Sequence, residues 1–204
     1  MIKNIVFDFG DVFINLDKKA PEQALAKMGI RQIDDEMVNW HNTYEKGLMS
    51  SEALTEQYLK KFPALTALSF KQAWNSIILD FPQHRLDWII QLANSKKYRL
   101  FLLSNTNDMH IEQVIKNMDA MRYSQFQNCF ERFYLSQQIH MRKPDLEIYD
   151  FVLQQDQLTS QETLFIDDTI LNTAAASSMG IHTWHLEPGK EDITQLFEIK
   201  KQLF

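Results

Sequence analysis

Short apolar runs punctuate the chain: Ile5-Val6-Phe7, Leu100-Phe101-Leu102-Leu103, Phe133-Tyr134-Leu135, Leu164-Phe165-Ile166 and Ile181-His182-Thr183-Trp184. Most are continuously apolar rather than alternating, the pattern of strands covered on both faces, as in a parallel sheet. Between them the spacing turns helical over Arg85–Lys96, Asp108–Asn117, Asp145–Gln155 and Ile170–Met179, with Gly180 placed as a C-cap. Buried strands alternating with amphipathic helices predict an α/β fold, a Rossmann-like doubly wound parallel sheet. Its ligands sit in the crevice beyond the carboxyl ends of the strands.

Residues 16–82 break this rhythm. They contain no strand pattern, only helical stretches over Pro21–Met28, Asp35–Lys46 and Ser51–Phe62, interrupted at Gly29, Gly47 and Pro63, with Ser50 as a helix start. The expected organisation is therefore an α/β core made of residues 1–15 and 83–204, with a small helical cap of residues 16–82 inserted after the first strand. Such an insert hangs over the carboxyl edge of the sheet, where a lid would sit.

Composition narrows the function. A chain of 204 residues that is 45% hydrophobic supports one main core with an insertion rather than two independent domains. Net charge is −6 and no Lys/Arg block exceeds two residues, which speaks against nucleic acid or an anionic membrane as partner. No stretch approaches the roughly 20 apolar residues of a membrane span, and the N-terminal run is too short for a signal peptide. The single Cys129 excludes an intrachain disulfide and fits a reducing compartment, so a cytoplasmic protein is expected, monomeric or homodimeric. Only five glycines are present, and their positions exclude both GxxxxGK[ST] and GxGxxG phosphate loops. Any phosphate must be bound another way.

The strand ends supply it. The first ends in Phe7-Asp8-Phe9-Gly10-Asp11-Val12, the second in Leu103-Ser104-Asn105-Thr106-Asn107, and the fourth in Phe165-Ile166-Asp167-Asp168-Thr169. The connection after the third carries Met141-Arg142-Lys143-Pro144-Asp145. Crowded carboxylates resist ionising unless a cation neutralises them, and an all-oxygen set matches Mg²⁺ with substrate phosphate oxygens. A carboxylate at a strand end can attack phosphorus, while Lys143, Ser104 and backbone amides after Asp8 hold the other phosphoryl oxygens. Taken singly, each group also reads as ordinary structure: Asp8 or Asp168 as a turn residue, Ser-Asn-Thr-Asn as loop, Lys143 as a solvated side chain before a helix. Order and spacing together carry the reading.

In that order, VFDFGDV, LLSNTN, RKPD and FIDDTILN span nearly the whole chain, and the sequence resembles the haloacid dehalogenase superfamily, in its helical-cap subclass. The resemblance implies Asp8 as nucleophile and Mg²⁺ ligand, with the carbonyl of Gly10 and Asp167 as further ligands and Asp168 in support. It also implies that Ser104 and Asn105 bind the phosphoryl group, that Lys143 neutralises it, and that Asn172 orients the site. The substrate is then a small phosphorylated metabolite.

Most phosphatases of that family carry a second Asp two residues after the nucleophile, as general acid and base; this chain has Gly10 there. A bacterial branch with FDxGxV at the first motif, including sugar phosphatases acting on α-glucose 1-phosphate, shares that glycine and is the nearest resemblance. The alternatives are a catalytically weakened phosphate-binding or interaction protein and a metal-free 2-haloacid dehalogenase; the acidic pair Asp167-Asp168 argues against the latter. In the cap, Tyr44-Glu45-Lys46-Gly47 falls where family members place a substrate-selecting loop. Glu45 is thus either an acceptor for sugar hydroxyls or the end of a helix capped at Gly47. His41 and Trp40 read equally as pocket or packing residues.

Overall fold

The computed structural model describes residues 1–204. Five strands, β1 (Asn4–Phe7), β2 (Arg99–Ser104), β3 (Arg132–Leu135), β4 (Thr163–Asp167) and β5 (His182–His185), form one parallel sheet in the order β3-β2-β1-β4-β5. Each coincides with one of the apolar runs. β1 lies at the centre, with Phe7 in register with both Leu102 and Ile166. The chain steps from β1 to β2 on one side and later returns to β4 on the other, which opens the crevice beyond β1.

Eleven α-helices and three short 3₁₀-helices complete the chain, the α-helices being α1 (Ala20–Lys27), α2 (Asp35–Glu45), α3 (Ser51–Lys61), α4 (Ala67–Asn75), α5 (Gln83–Ser95), α6 (Asp108–Met118), α7 (Ala120–Gln127), α8 (Ser136–Ile139), α9 (Leu146–Gln155), α10 (Ile170–Ser178) and α11 (Leu196–Ile199). The sheet buries both faces. Ile5, Phe7, Leu100, Leu102, Leu164 and Ile166 pack with residues of α5, α6, α7 and α11, while Val6, Phe101, Leu103 and Phe165 pack with α9 and α10. The period-2 alternation is present, but both sides are apolar, so the strands read as continuous runs. Gly180 follows α10 at φ +78°, as a C-cap requires.

Helices α1 to α4 enclose a separate apolar cluster that includes Leu25, Met37, Trp40, Tyr44, Leu54, Tyr58 and Phe70. Ser50 caps α3 by accepting from the Ala53 N–H at 3.2 Å. Helix α4 begins at a Thr66/Ser69 capping box that the spacing of apolar residues does not announce. Two chain segments join this unit to the sheet, and they are hydrogen-bonded to each other: Asn15 N–H to the Asp80 carbonyl at 2.9 Å, Leu79 N–H to Asn15 at 3.0 Å, and Asp17 N–H to Ile77 at 2.9 Å. Arg85 of α5 fastens the pair by donating to the Phe13 carbonyl at 3.3 Å and to Asn15 Oδ1 at 3.0 Å.

The far edge of the helical unit docks on α6 and α8. Tyr44 Oη accepts from the Met109 N–H at 3.1 Å, and Trp74 Nε1 donates to Asn107 Oδ1 at 3.3 Å. Gly47 lies at φ +65° against the Gln137 carbonyl, and a Cβ there would stand 2.0 Å from that oxygen. Any side chain at this position forces the two surfaces apart as well as straining the backbone. Gly47→Ala is accordingly expected to lower the Tm by about 3 °C or more. A thermal melt within a degree of the parent would show that the junction yields.

Candidate active site

β1 hands the chain to Asp8, whose N–H still bonds the Ile166 carbonyl at 2.8 Å, so the carboxylate is aimed from the middle of the sheet edge. Asp167 is the last residue of β4 and wholly buried. Between them lies Lys143, with 1% of its side chain exposed. Its Nζ donates to Asp8 Oδ1 at 2.8 Å, Asp167 Oδ2 at 2.6 Å and the Leu103 carbonyl at 2.7 Å, which employs all three ammonium hydrogens. Lys143 is thus an internal ion rather than a solvated side chain. Burial pulls its ammonium down, but Asp167 and Asp8 outweigh that and hold it above its ordinary value. Burial pushes the Asp8 carboxyl up to about 7, with Asp167 and Asp168 adding to the rise and Lys143 opposing it.

Asn172 on the first turn of α10 donates to Asp167 Oδ1 at 3.0 Å and Oδ2 at 3.1 Å, and the Thr169 N–H reaches Oδ1 at 2.8 Å. Asn172 thus fixes the Asp167 carboxylate. Asn105 lines the cleft with its main-chain N–H free, while its side chain is engaged elsewhere. Its side-chain amide grips the backbone of Lys143 from both sides, accepting from the N–H at 2.9 Å and donating to the carbonyl at 2.8 Å. That amide positions the lysine and is not free. Ser104 ends β2 and is buried, beside a turn that Ser136 Oγ holds at the Thr106 N–H and carbonyl. The N–H groups of Phe9, Gly10 and Asn105 donate to no group of the protein, an exception to the usual pairing of main-chain donors. They stand at the ends of β1 and β2, flanking Asp8.

Asp168 is bound by Lys18, whose Nζ also pairs with Asp11 Oδ2 at 3.0 Å. Lys18 carries no signal in the sequence, because its partners are 7 and 150 residues away. Asp11 itself sits at φ +54°, left-handed rather than extended, and accepts from the Leu16 N–H at 2.9 Å. That turn folds Leu16 over Gly10: a Cβ on Gly10 would lie 2.7 Å from Leu16 Cδ1. The place of the absent second aspartate is filled by a leucine.

Asp8, Gly10, Lys18, Asn105, Lys143, Asp168 and Asn172 line a cleft of about 450 Å³ together with Glu45 and Arg142. Glu45, at the end of α2, therefore reaches the site, and its carboxylate is paired with Arg142 at 2.9 Å. Trp40 and His41 do not line the cleft; Trp40 is buried among the cap helices and His41 Nε2 bonds Tyr58 Oη at 2.6 Å. Of these residues Arg142 was visible in the motif without a role, and Leu16 and Lys18 were not visible at all.

One oxygen from each of Asp8, Asp167 and Asp168 lies within 4.8 Å of the others. Three converging carboxylates, one of them held protonated toward neutrality by burial even beside the Lys143 ammonium, form a hard, all-oxygen donor set that fits Mg²⁺. No helix is long and apolar enough to cross a membrane.

Comparison with known proteins agrees with this geometry. A family model described as haloacid dehalogenase-like hydrolase matches residues 5–185. The chain is 32% identical over 197 residues to a D-ribitol-5-phosphate phosphatase of Bacteroides thetaiotaomicron, covering 94% of this chain and 95% of that protein. A haloacid dehalogenase-family enzyme of the same organism, solved as a magnesium complex, superposes with a TM-score of 0.84 at 34% identity, covering 96% of this chain and 98% of that one. Its wild-type complex with magnesium and inorganic phosphate gives 0.82 at 32% identity, covering 97% and 100%.

The raised Asp8 carboxyl has a direct consequence. In the metal-free protein the stability it contributes is present below its ordinary value of 3.8 and lost as pH rises through about 7, because the carboxylate must then be charged while stripped of water. Mg²⁺ must expel the proton that Asp8 retains below neutrality. Its apparent Kd in calorimetric titration is expected to fall by up to about tenfold per unit between about pH 5.5 and pH 7 and to level off above. Equal affinity at both ends of that range would mean that Asp8 is already ionised.

Proposed function

The chain belongs to the haloacid dehalogenase-like hydrolases, and on that premise we propose that it is a Mg²⁺-dependent phosphatase of a small, sugar- or polyol-like phosphomonoester, with Asp8 as nucleophile. The observation that carries this reading is the arrangement around Asp8. Lys143 holds Oδ1, Oδ2 makes no hydrogen bond within the protein, and three unpaired main-chain N–H groups surround it.

Asp8, Asp167 and the Gly10 carbonyl would hold Mg²⁺, with Asp168 in support; when bound, the ion supplies charge neutralisation and Lewis acidity toward a phosphoryl oxygen. Asp8 Oδ2 forms a bond to phosphorus as the bond to the leaving oxygen breaks, and that oxygen departs as an alcohol after taking a proton. Lys143 neutralises the developing charge, while Ser104 and the N–H groups of Phe9, Gly10 and Asn105 cradle the oxygens that are not transferred. A water then attacks phosphorus of the aspartyl phosphate, releasing inorganic phosphate and restoring Asp8. The same carboxylate cluster disfavours a metal-free dehalogenase, whose carboxylate substrate it would repel. The acidic balance and lone Cys129 support a cytoplasmic enzyme acting on a metabolite rather than on nucleic acid. The phosphatase of D-ribitol 5-phosphate supports a polyol ester, and the FDxGxV motif supports a sugar 1-phosphate; both leaving groups are uncharged.

Asp8→Asn is expected to lower kcat on para-nitrophenyl phosphate by at least about a thousandfold, and EDTA to abolish turnover reversibly. Activity that survives either treatment would overturn the mechanism. A second expectation concerns Gly10, where Gly10→Asp alone must displace Leu16. In the Leu16→Ala background the new acid has room, and turnover of alkyl phosphates relative to para-nitrophenyl phosphate is expected to rise at least about tenfold. No rise in that ratio would show that protonation of the leaving oxygen does not limit the reaction.

A further inference from the structure

Glu45 and Arg142 meet at the cleft from different parts of the chain, one at the end of α2 and the other in the loop before α9. Arg142 places Nε at 3.0 Å and Nη2 at 2.9 Å from the same carboxylate oxygen, Oε2. Glu45 Oε1 and Arg142 Nη1 make no hydrogen bond within the protein, so the pair retains one acceptor and one donor on residues that line the cleft. Both side chains are about one quarter exposed, 27% and 26%, and neither is locked in the interior.

Charge in the cleft is partly balanced. Asp8, Asp11, Asp167, Asp168 and Glu45 oppose Lys18, Arg142 and Lys143, a net of two negative charges. A divalent cation cancels it and a phosphate dianion restores it. Nothing is left to neutralise a second anionic group on the substrate, because Arg142, the cation farthest from the carboxylate cluster in its bonding, is already committed to Glu45.

We propose that the Glu45–Arg142 pair is a charge filter that admits phosphomonoesters with hydroxylated, uncharged leaving groups and rejects those bearing a further carboxylate or phosphate. This rests on the phosphatase reading and adds to it the class of leaving group and the residues that select it. A hydroxyl both donates and accepts, so it matches Oε1 and Nη1 together. A carboxylate meets the Glu45 charge first, and it gains Arg142 only by breaking the existing pair. Removing Glu45 therefore does more than delete an acceptor, since it converts Arg142 into a free anion-binding group.

The junction does not rest on this pair alone. Lys46 pairs with Asp145 at 2.9 Å, His140 Nδ1 donates to the Lys46 carbonyl at 2.8 Å, and Gly47 packs on the Gln137 carbonyl. The loop thus remains docked when Glu45 changes.

The test compares glycerol 3-phosphate with 3-phosphoglycerate, which differ by a hydroxymethyl against a carboxylate, in the Mg²⁺-loaded enzyme. The wild type is expected to favour glycerol 3-phosphate in kcat/KM by at least about tenfold, and Glu45→Gln to erase most of that preference. Glu45→Gln/Arg142→Met is expected to lose the gain on 3-phosphoglycerate, which assigns it to the released arginine. A wild-type ratio near one, or a ratio unchanged in Glu45→Gln, overturns the filter while leaving the phosphatase intact. A wild type inert toward both esters and toward para-nitrophenyl phosphate brings down the phosphatase reading, and the filter with it.

Discussion

An ammonium group sealed between two carboxylates is the constraint on which the rest of the site depends. Lys143 Nζ has no water to lose to, and its three donors end on Asp8, Asp167 and a main-chain carbonyl. Removing one partner of such a buried pair costs about 3–5 kcal/mol, because the other charge is left uncompensated. The lysine must therefore be delivered accurately, and the molecule spends Asn105 on gripping its backbone and Asn172 on fixing Asp167. Tyr149 Oη in turn donates to the Asn172 carbonyl at 2.9 Å, which ties the start of α10 to α9. The sheet places β1, β2 and β4 side by side; these amides convert adjacency into a site. What the network leaves unpaired is equally informative: one oxygen of Asp8 and the N–H groups around it are the unfilled valences into which a phosphoryl group fits.

The helical unit is anchored by similar means. Two hydrogen-bonded straps join it to the sheet at one end, and at the other Trp74 stacks on His110 with ring centroids 5.5 Å apart. Burial pushes the His110 imidazole down to about 4, so it is neutral in the working range. Its Nε2 donates to the Trp74 carbonyl at 3.2 Å and its Nδ1 accepts from Asn107 at 3.0 Å, which defines a single tautomer. Asn107 caps α6 through the His110 N–H at 3.0 Å, so one side chain serves the helix start and the docking surface together. The packing that closes the cleft is thus continuous with the turn that follows Ser104.

Much of this was legible in the sequence for a physical reason. Strands buried on both faces must be apolar throughout, and residues that leave a central strand edge together must be chemically compatible, so the runs and the Asp8, Ser104, Lys143 and Asp167 motifs carried the fold and the centre of the site. The misses share a different property. Helix α7 reads AMRYSQFQ, with only Tyr123 and Phe126 buried, too few to set a period. The grip of the Asn105 side chain on Lys143 depends on where the Lys143 backbone passes, which no local pattern encodes. Lys18 and Arg142 acquire their meaning from partners contributed by other segments of the fold.

Gly10 shows how a single packing choice reaches into chemistry. Its φ is not in the left-handed region, so the backbone there tolerates any residue; what crowds a side chain is Leu16 Cδ1, folded back by the turn at Asp11, which would have to move aside. Asp11 is held in turn by the Leu16 N–H and by Lys18, which spans to Asp168. The loop that removes the usual acid is therefore the loop that supplies a counter-charge to the acidic cluster. A chain of net charge −6 and five glycines binds phosphate by local compensation rather than by a glycine cradle or an overall basic field. Because every cation of the cleft is already paired with a carboxylate, the site with Mg²⁺ can accept the charge of one phosphoryl group and little more. Selectivity for uncharged leaving groups then follows from the same electrostatic balance that lets the carboxylates stand together.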